Sequence, residues 1–175
     1  MPKIIKEAKE KILEAAKDEL SKNSDDVLSM RSIAKKANIA VGTIYHYYPD
    51  KLNLIAEILL EDWKKCAKEC QENLEKLTDL ESSLKCIIDL IFEFTNKNKS
   101  IFEKYKGEEY YLCFDKDHKM FFYEIKKMWT VAKSNLRIQT LDFEDNSICE
   151  IILFYTRYKV ISFDELVSVV TKIIK

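Results

Sequence analysis

The chain has 175 residues, a formal net charge of −1 and a 47% share of apolar residues, which fit a folded globular protein rather than a disordered one. It contains only two glycines and two prolines, and such a scarcity of turn-forming residues argues against a β-sandwich or barrel. No stretch approaches the roughly 18 uncharged apolar residues of a membrane span. We therefore expect an all-α protein with no membrane partner.

Apolar residues recurring at helical spacing predict a first helix over residues 3–22. A short helix is predicted over 30–38, where Ser29 is suited to accept a backbone N–H as its N-cap. Asn38 tolerates the left-handed conformation and marks the following turn. A second short helix is predicted over 41–47. These three helices form the predicted N-terminal module.

Pro49 blocks continuation of that helix, and Asp50 is the expected N-cap of the next. Further helices are predicted over about 50–77, 80–95, 100–112, 114–138, 144–160 and 163–174. The sequence therefore predicts about nine helices in two domains: a helix-turn-helix domain over 1–49, and a helical body over 50–175 that joins it through the helix starting at residue 50.

The distribution of charge and the cysteine content bear on the partners and the cellular location of the chain. The segment 31–51 carries four basic residues and only one acidic residue, Asp50, which makes a modest positive patch. The first eleven residues are charged and lack the apolar region of a secretion signal. Five cysteines form an odd set without disulfide-scaffold spacing. We expect reduced thiols and a cytoplasmic location.

Two short helices joined by a tight turn can place the second helix in the DNA major groove. Gly42 lets the backbone approach DNA closely, although a simple turn residue is the alternative. Thr43 offers a hydroxyl and a methyl group to phosphate or base. Tyr45 and Tyr47 can donate phenolic hydrogen bonds to phosphates, and His46 can reach a phosphate or base edge.

Core packing is the alternative for the aromatic residues. It is expected in full for Tyr48 and in part for Tyr45, and Ile44 is expected to point into the module core. For Lys35 and Lys36 a solvated face is the preferred interpretation.

The run Gly42-Thr-Ile-Tyr-His-Tyr-Tyr-Pro-Asp-Lys51 resembles the signature of the tetracycline-repressor-like (TetR) family, within a similarity that covers roughly the first 60 residues. The resemblance implies that Lys51 clamps the DNA backbone and that Ser29 and Arg31 contact phosphates from the first helix of the motif.

Three positions depart from the family pattern. Ala40 is a poor N-cap and costs the second helix about 1 kcal/mol. Val41 can touch a thymine methyl group but cannot hydrogen-bond a base, and Met30 replaces a frequent hydroxyl. We expect thin direct base recognition and more dependence on phosphates and DNA shape.

The resemblance also implies a homodimer formed by the last two helices and bound to a pseudo-palindromic double-stranded DNA operator. Intramolecular core is the alternative for the apolar residues concerned. The candidate interface residues are Ile151, Phe154, Tyr155, Tyr158, Leu166 and Val170.

Aromatic residues between 101 and 129 could line a pocket for an unknown small-molecule effector that is flat, planar or lipophilic. Aromatic residues at helical spacing can equally form core. The candidate pocket residues are Phe102, Tyr105, Tyr110, Tyr111, Phe122 and Trp129.

Cys66 and Cys70, four residues apart, could bind metal or sense oxidants, but buried core thiols are the preferred interpretation. We predict no metal site, no cofactor, no catalytic residues and no enzymatic activity. The leading hypothesis is a homodimeric repressor released from DNA by an effector. The rival is a helical interaction or ligand-carrier module that lost DNA binding, favoured by Ala40, Val41 and the near-neutral charge.

Overall fold

The computed structural model describes residues 2–22, 29–104 and 108–175, with side chains described for 7–20, 29–103 and 121–175. Within these ranges the chain forms nine α-helices and no strand, so the predicted all-α class is confirmed. The helices are α1 Pro2–Lys22, α2 Met30–Ala37, α3 Val41–Tyr47, α4 Lys51–Leu74, α5 Leu80–Lys97, α6 Lys99–Lys104, α7 Glu108–Asn135, α8 Asp142–Tyr158 and α9 Phe163–Ile173.

Most helix ends lie where local sequence signals predict them. Asp50 accepts the backbone N–H of Asn53 at 2.8 Å, which confirms it as the cap before α4. Ser162 caps α9 by accepting from the backbone of Glu165, whose carboxylate returns a contact to the Ser162 N–H at 2.7 Å. None of the described helices is both long enough and apolar enough to cross a membrane.

The predicted division between the sixth and seventh helices is wrong. We expected one helix to end near residue 112 and another to begin at Phe114, but α7 already runs from Glu108 through that point to Asn135. The segment 108–118 contains no proline, glycine or capping pattern that would stop a helix, so an amphipathic helix continues.

The chain divides into two compact units, Met1–Glu61 with Tyr105–Cys113, and Asp62–Lys104 with Phe114–Lys175. The helix α4 begins in the first unit and continues into the second, so the first unit extends twelve residues beyond the predicted domain end at 49.

In the first unit, α1, α2, α3 and the start of α4 bury their apolar faces on one another. Partly exposed ion pairs add to this packing: Lys17 contacts Glu61 at 3.0 Å, and Lys36 pairs with Asp18. Lys36 therefore lies on a solvated face with an intramolecular partner. The fully or nearly fully buried residues are Ile12, Ala16, Ile33, Ala34, Ile44, Tyr48, Leu54, Ile55 and Ile58.

The second unit has a separate core centred on two buried indoles, Trp63 and Trp129. Asp145, itself buried, accepts hydrogen bonds from Trp129 Nε1 at 2.7 Å and Thr140 Oγ1 at 2.6 Å, and it pairs with Lys133. Burial alone would raise the pKa of Asp145, but the donated hydrogen bonds outweigh burial and lower it. The network thus joins α7 to α8 with an ionised carboxylate.

Candidate nucleic-acid interface

The helix α2 begins at a side-chain cap. Ser29 Oγ accepts from the backbone N–H of Ser32 at 3.4 Å, which confirms Ser29 as the N-cap. The helix buries Met30, Ile33, Ala34 and Ala37 against the module. Arg31 and Lys35 consequently remain on its exposed side.

The turn after α2 has the predicted left-handed residue. Asn38 adopts φ 54° and ψ 47°, and its backbone N–H lies 3.3 Å from the Lys35 carbonyl. The backbone N–H of Ile39 then donates to the Ala34 carbonyl at 3.0 Å. These bonds close α2 and reverse the chain, so α3 starts only three residues later.

The inward face of α3 is fixed by two residues. Ile44 is completely buried, and the ring of Tyr48, immediately after the helix, is 2% exposed. Burial raises the pKa of the Tyr48 phenol, with a smaller contribution from Glu57. Both residues were predicted to be core, and both are.

The opposite face of α3 is open. Tyr45 is 49% exposed, Gly42 and His46 are exposed, and Val41, Thr43 and Tyr47 are half-buried. The His46 and Tyr47 rings meet edge-to-face with centroids 5.5 Å apart. This outward set, Gly42, Thr43, Tyr45, His46 and Tyr47, is called the α3 outer face below.

Gly42 lies in the first turn of α3 without a positive φ. Apart from the neighbouring residues and the backbone of α3 itself, a Cβ added there would meet no protein atom within 4 Å. Neither the local backbone nor intramolecular packing therefore requires glycine, which argues against a simple turn role.

As expected, the side chain of Ala40 does not cap α3. The first hydrogen bond at this end is between backbone groups: the Thr43 N–H donates to the Ala40 carbonyl at 2.9 Å. Lys51 is the first residue of α4 and is half-buried. Lys51 places a cation beside the start of α4, where Asp50 accepts the backbone N–H of Asn53.

The candidate interface residues of the body fall into two groups. Phe154 and Tyr158 are 51% and 55% exposed, and their rings contact one another with centroids 4.9 Å apart and planes tilted by 44°. Ile151 and Tyr155 are half-buried. Leu166 and Val170 are completely buried inside the protomer, so the intramolecular-core alternative describes their position.

The candidate pocket residues also differ in burial and in whether the structure describes their side chains. Tyr105, Tyr110 and Tyr111 lie outside the described side chains. Trp129 is fully buried and belongs to the Asp145 network, whereas Phe102 and Phe122 are half-buried.

The structure instead gathers Phe102 and Phe121, which belong to the predicted aromatic segment, with Trp63 and Phe94, which were not predicted as pocket residues. The Trp63 ring lies 5.0 Å from Phe94 and 4.9 Å from Phe121, and Phe94 lies 6.3 Å from Phe102. Trp63 is 1% exposed, and its Nε1 has no hydrogen-bond partner among the described residues. No local sequence signal marks this site, because Trp63, Phe94 and Phe121 belong to three different helices.

The geometry of α2, turn and α3 defines a helix-turn-helix module. Residues 12–58 match the model of the family described as bacterial regulatory proteins, tetR family. Over these residues the chain is thus similar to the TetR family.

The chain is similar over part of its length to several regulators. It is 35% identical over 60 residues to the HTH-type transcriptional repressor KstR of Rhodococcus jostii, covering 34% of this chain and 28% of KstR. It is 31% identical over 83 residues to the HTH-type transcriptional regulator UidR of Escherichia coli, covering 47% of this chain and 42% of UidR. The chain thus spans less than half the length of either relative.

Two solved structures share the fold over nearly the whole chain. The fatty acid degradation regulator FadR from Bacillus halodurans superimposes with a TM-score of 0.50 at 17% identity, covering 94% of this chain and 96% of FadR. A putative TetR-family transcriptional regulator from Mesorhizobium loti also gives 0.50, at 14% identity, covering 97% of this chain and 94% of that one. At such identities the likeness concerns the fold.

Proposed function

We propose that this protein is a DNA-binding transcription regulator that uses α3 as its recognition helix. The observation that carries the proposal is the division of α3 into a buried side, Ile44, and an exposed side bearing Tyr45 and His46. Hydroxyl and imidazole groups on a helix that projects from its module are suited to phosphates and base edges in the major groove.

The electrostatics of the module support contact with a duplex although the whole chain has a net charge of −1. Arg31 is exposed on α2, and Lys51 stands at the start of α4. Cations next to a recognition helix neutralise phosphates, which supplies most of the sequence-independent affinity for DNA.

The outer face of α3 carries few groups that distinguish bases. Val41 offers only a methyl contact to thymine, and no side chain of the described α3 is a carboxamide or guanidinium suited to bidentate base recognition. We therefore propose that selectivity rests largely on phosphate geometry and on DNA shape.

Two copies of the chain would place two recognition helices on a pseudo-palindromic operator. Exposed apolar side chains on and after α8 support a homodimer through this region, because such groups gain free energy when a second copy covers them. They are Phe143, Phe154, Tyr158 and Val160.

An effector site in the second unit is supported by the cluster of Trp63, Phe94, Phe102 and Phe121. A buried indole N–H without a partner costs about 1–3 kcal/mol, and an acceptor oxygen on a bound ligand would offset that cost. We propose an apolar, lipophilic effector with one acceptor group. Its binding releases the repressor from DNA, provided that it prefers the released state.

Fluorescence anisotropy with labelled duplexes from the DNA flanking the protein's own gene tests the DNA-binding proposal. Sequence-selective binding that weakens steeply with salt supports it. Absence of binding at low salt by protein purified free of ligand contradicts it and favours a ligand-carrier module. Native mass spectrometry of the purified chain tests the effector proposal independently through any co-purified small molecule.

A further inference from the structure

Two thiols on consecutive helices of the second unit lie next to one another. Cys70 of α4 and Cys86 of α5 have their Sγ atoms 3.4 Å apart, within hydrogen-bonding distance for sulfur. Cys70 is 4% exposed and Cys86 is half-buried. Cys70 is therefore closed off from solvent, and Cys86 is the more exposed residue of the two.

We propose that Cys70 and Cys86 form an oxidisable dithiol site that reacts with hydroperoxides, of which hydrogen peroxide is the simplest, to give an intramolecular disulfide between α4 and α5. A disulfide requires a sulfur separation of about 2.05 Å, so the two atoms approach by about 1.4 Å. Side-chain rotation supplies movement on this scale.

The two sulfurs have different roles because of their hydrogen bond. Donation from the Cys70 thiol lowers the pKa of Cys86, while the same bond together with burial raises the pKa of Cys70. When the pair loses a proton, the thiolate therefore forms preferentially on Cys86, the more exposed residue of the two. A thiolate is the form that attacks peroxides.

The chemistry proceeds in two balanced steps. The Cys86 thiolate attacks one peroxide oxygen, the O–O bond breaks, and Cys86 becomes a sulfenic acid as hydroxide leaves and takes up a proton to give water. The Cys70 sulfur then attacks Cys86 Sγ, the S–O bond breaks, and the Cys70 proton leaves with the hydroxyl as a second water. Two thiols and one hydrogen peroxide give one disulfide and two waters.

The second step becomes easier once the first has occurred. The hydrogen bond to the Cys86 thiolate is the largest cause of the raised Cys70 pKa, and sulfenic acid formation removes that negative charge. Cys70 can then lose its proton as it attacks.

The other described thiols lack this arrangement. Burial raises the pKa of Cys149 to about 12, and burial also raises the pKa of Cys66. Cys66 lies one helical turn before Cys70 on α4, which makes it a matched control for helix, neighbourhood and residue type.

Peptide mapping tests the proposal directly, because trypsin places all five cysteines in different peptides. Cleavage after lysine puts Cys66 in residues 66–68, Cys70 in 69–76 and Cys86 in 86–97. The full native chain is treated with hydrogen peroxide, free thiols are alkylated, and the peptides are analysed by mass spectrometry. We expect a linked pair of 69–76 with 86–97 that disappears after dithiothreitol treatment.

Three variants assign the roles. Cys66→Ser should form the same linked pair. Cys70→Ser should give no linked pair, and dimedone should label a sulfenic acid on 86–97. Cys86→Ser should give neither product, and circular dichroism establishes that each variant is folded.

The bridge should also fit the native fold. It would link residues 16 positions apart. Such a bridge raises the thermal midpoint of the wild type and of Cys66→Ser by roughly 5–10 °C, but not that of Cys70→Ser or Cys86→Ser. A linked pair of 66–68 with 86–97, a sulfenic acid on native Cys86 that never forms a bridge, or linkage only in guanidinium would each overturn the proposal.

Discussion

Gly42 is a position where stability and DNA affinity are expected to change in opposite directions. The added methyl group of Gly42→Ala meets no protein atom, and alanine is better than glycine inside a helix by up to about 1 kcal/mol. Urea denaturation should therefore show equal or greater stability. DNA affinity should fall, because the methyl group occupies space into which the duplex backbone comes. Lower stability, or unchanged affinity, would contradict this role for Gly42.

The tyrosines around α3 allow a comparison that removes single hydroxyl groups. Tyr45→Phe and Tyr47→Phe should each weaken operator binding roughly tenfold, because each removes a hydrogen bond to a charged phosphate. Tyr48→Phe is the matched control, since its ring lies in the module core. Anisotropy titrations at one salt concentration measure all three. Equal affinities for the three variants would refute the assignment of the α3 outer face.

Residue positions set by short-range chemistry were predictable from sequence. Ser29, Asn38 and Asp50 have their expected capping or turn roles because each acts within three or four residues of itself. Two features were not predictable: the Trp63 N–H, which has no hydrogen-bond partner among the described residues, and the Cys70–Cys86 contact. Each depends on which helices pack together. Periodicity identifies the buried side of a helix but does not identify the partner helix.

At the scale of helices, the Asp145 network makes the contact between α7 and α8 sensitive to acid. Asp145→Asn should destabilise the protein by about 2–3 kcal/mol at pH 7, because it leaves the largely buried Lys133 cation without its counter-charge. The lowered pKa of Asp145 means that its contribution is complete above the unfolded value, near 3.9, and is lost as pH falls through the folded value.

Urea unfolding of wild type and Asp145→Asn from pH 7 to pH 3 measures this dependence. The difference in free energy of unfolding should be constant above about pH 5 and shrink below about pH 3.9. Asp142→Asn, which removes the ion pair of an exposed carboxylate with Lys126 and leaves an amide oxygen to accept from Asn146, serves as control and should barely move the midpoint. A wild-type advantage that persists unchanged at the lowest pH would show that the Asp145 charge is not responsible.

A substitution in the exposed ring pair of Phe154 and Tyr158 tests whether α8 forms the dimer interface. Phe154→Glu should raise the dimer dissociation constant roughly 30-fold or more, because a charge would be buried where an aromatic ring was covered. Asn73→Glu introduces the same charge on the exposed side of α4 and should leave the dimer intact. Sedimentation velocity over a concentration series measures the dimer dissociation constant of both variants. A dimer unaffected by Phe154→Glu would place the interface elsewhere.

Helix boundaries were predictable to the extent that the sequence contains stop signals. Asn38 ends α2 and Pro49 follows the end of α3, as predicted, whereas nothing between residues 108 and 118 ends a helix, and there the predicted boundary was wrong. The surface of α9 shows a related limit. Leu166 and Val170 share the apolar pattern expected of an interface, but the protomer itself covers them.

At the scale of the whole molecule, the slope of DNA affinity against salt concentration measures how many protomers bind the operator. The logarithm of affinity falls with the logarithm of salt concentration by about 0.9 for each phosphate that a cation neutralises. Lys51→Ala removes one such contact per protomer, so the slope should become shallower by about 2 if two copies bind together and by about 1 if one copy binds.

The matched control is Lys35→Ala, an exposed lysine on α2 that we place on the solvated face. It should leave the slope unchanged while altering the net charge of the chain by the same amount, which separates a direct phosphate contact from general electrostatic attraction. If both variants change the slope equally, Lys51 has no special position on the DNA. If the Lys51 change is near 1 while sedimentation shows a dimer, only one recognition helix of the dimer engages the duplex.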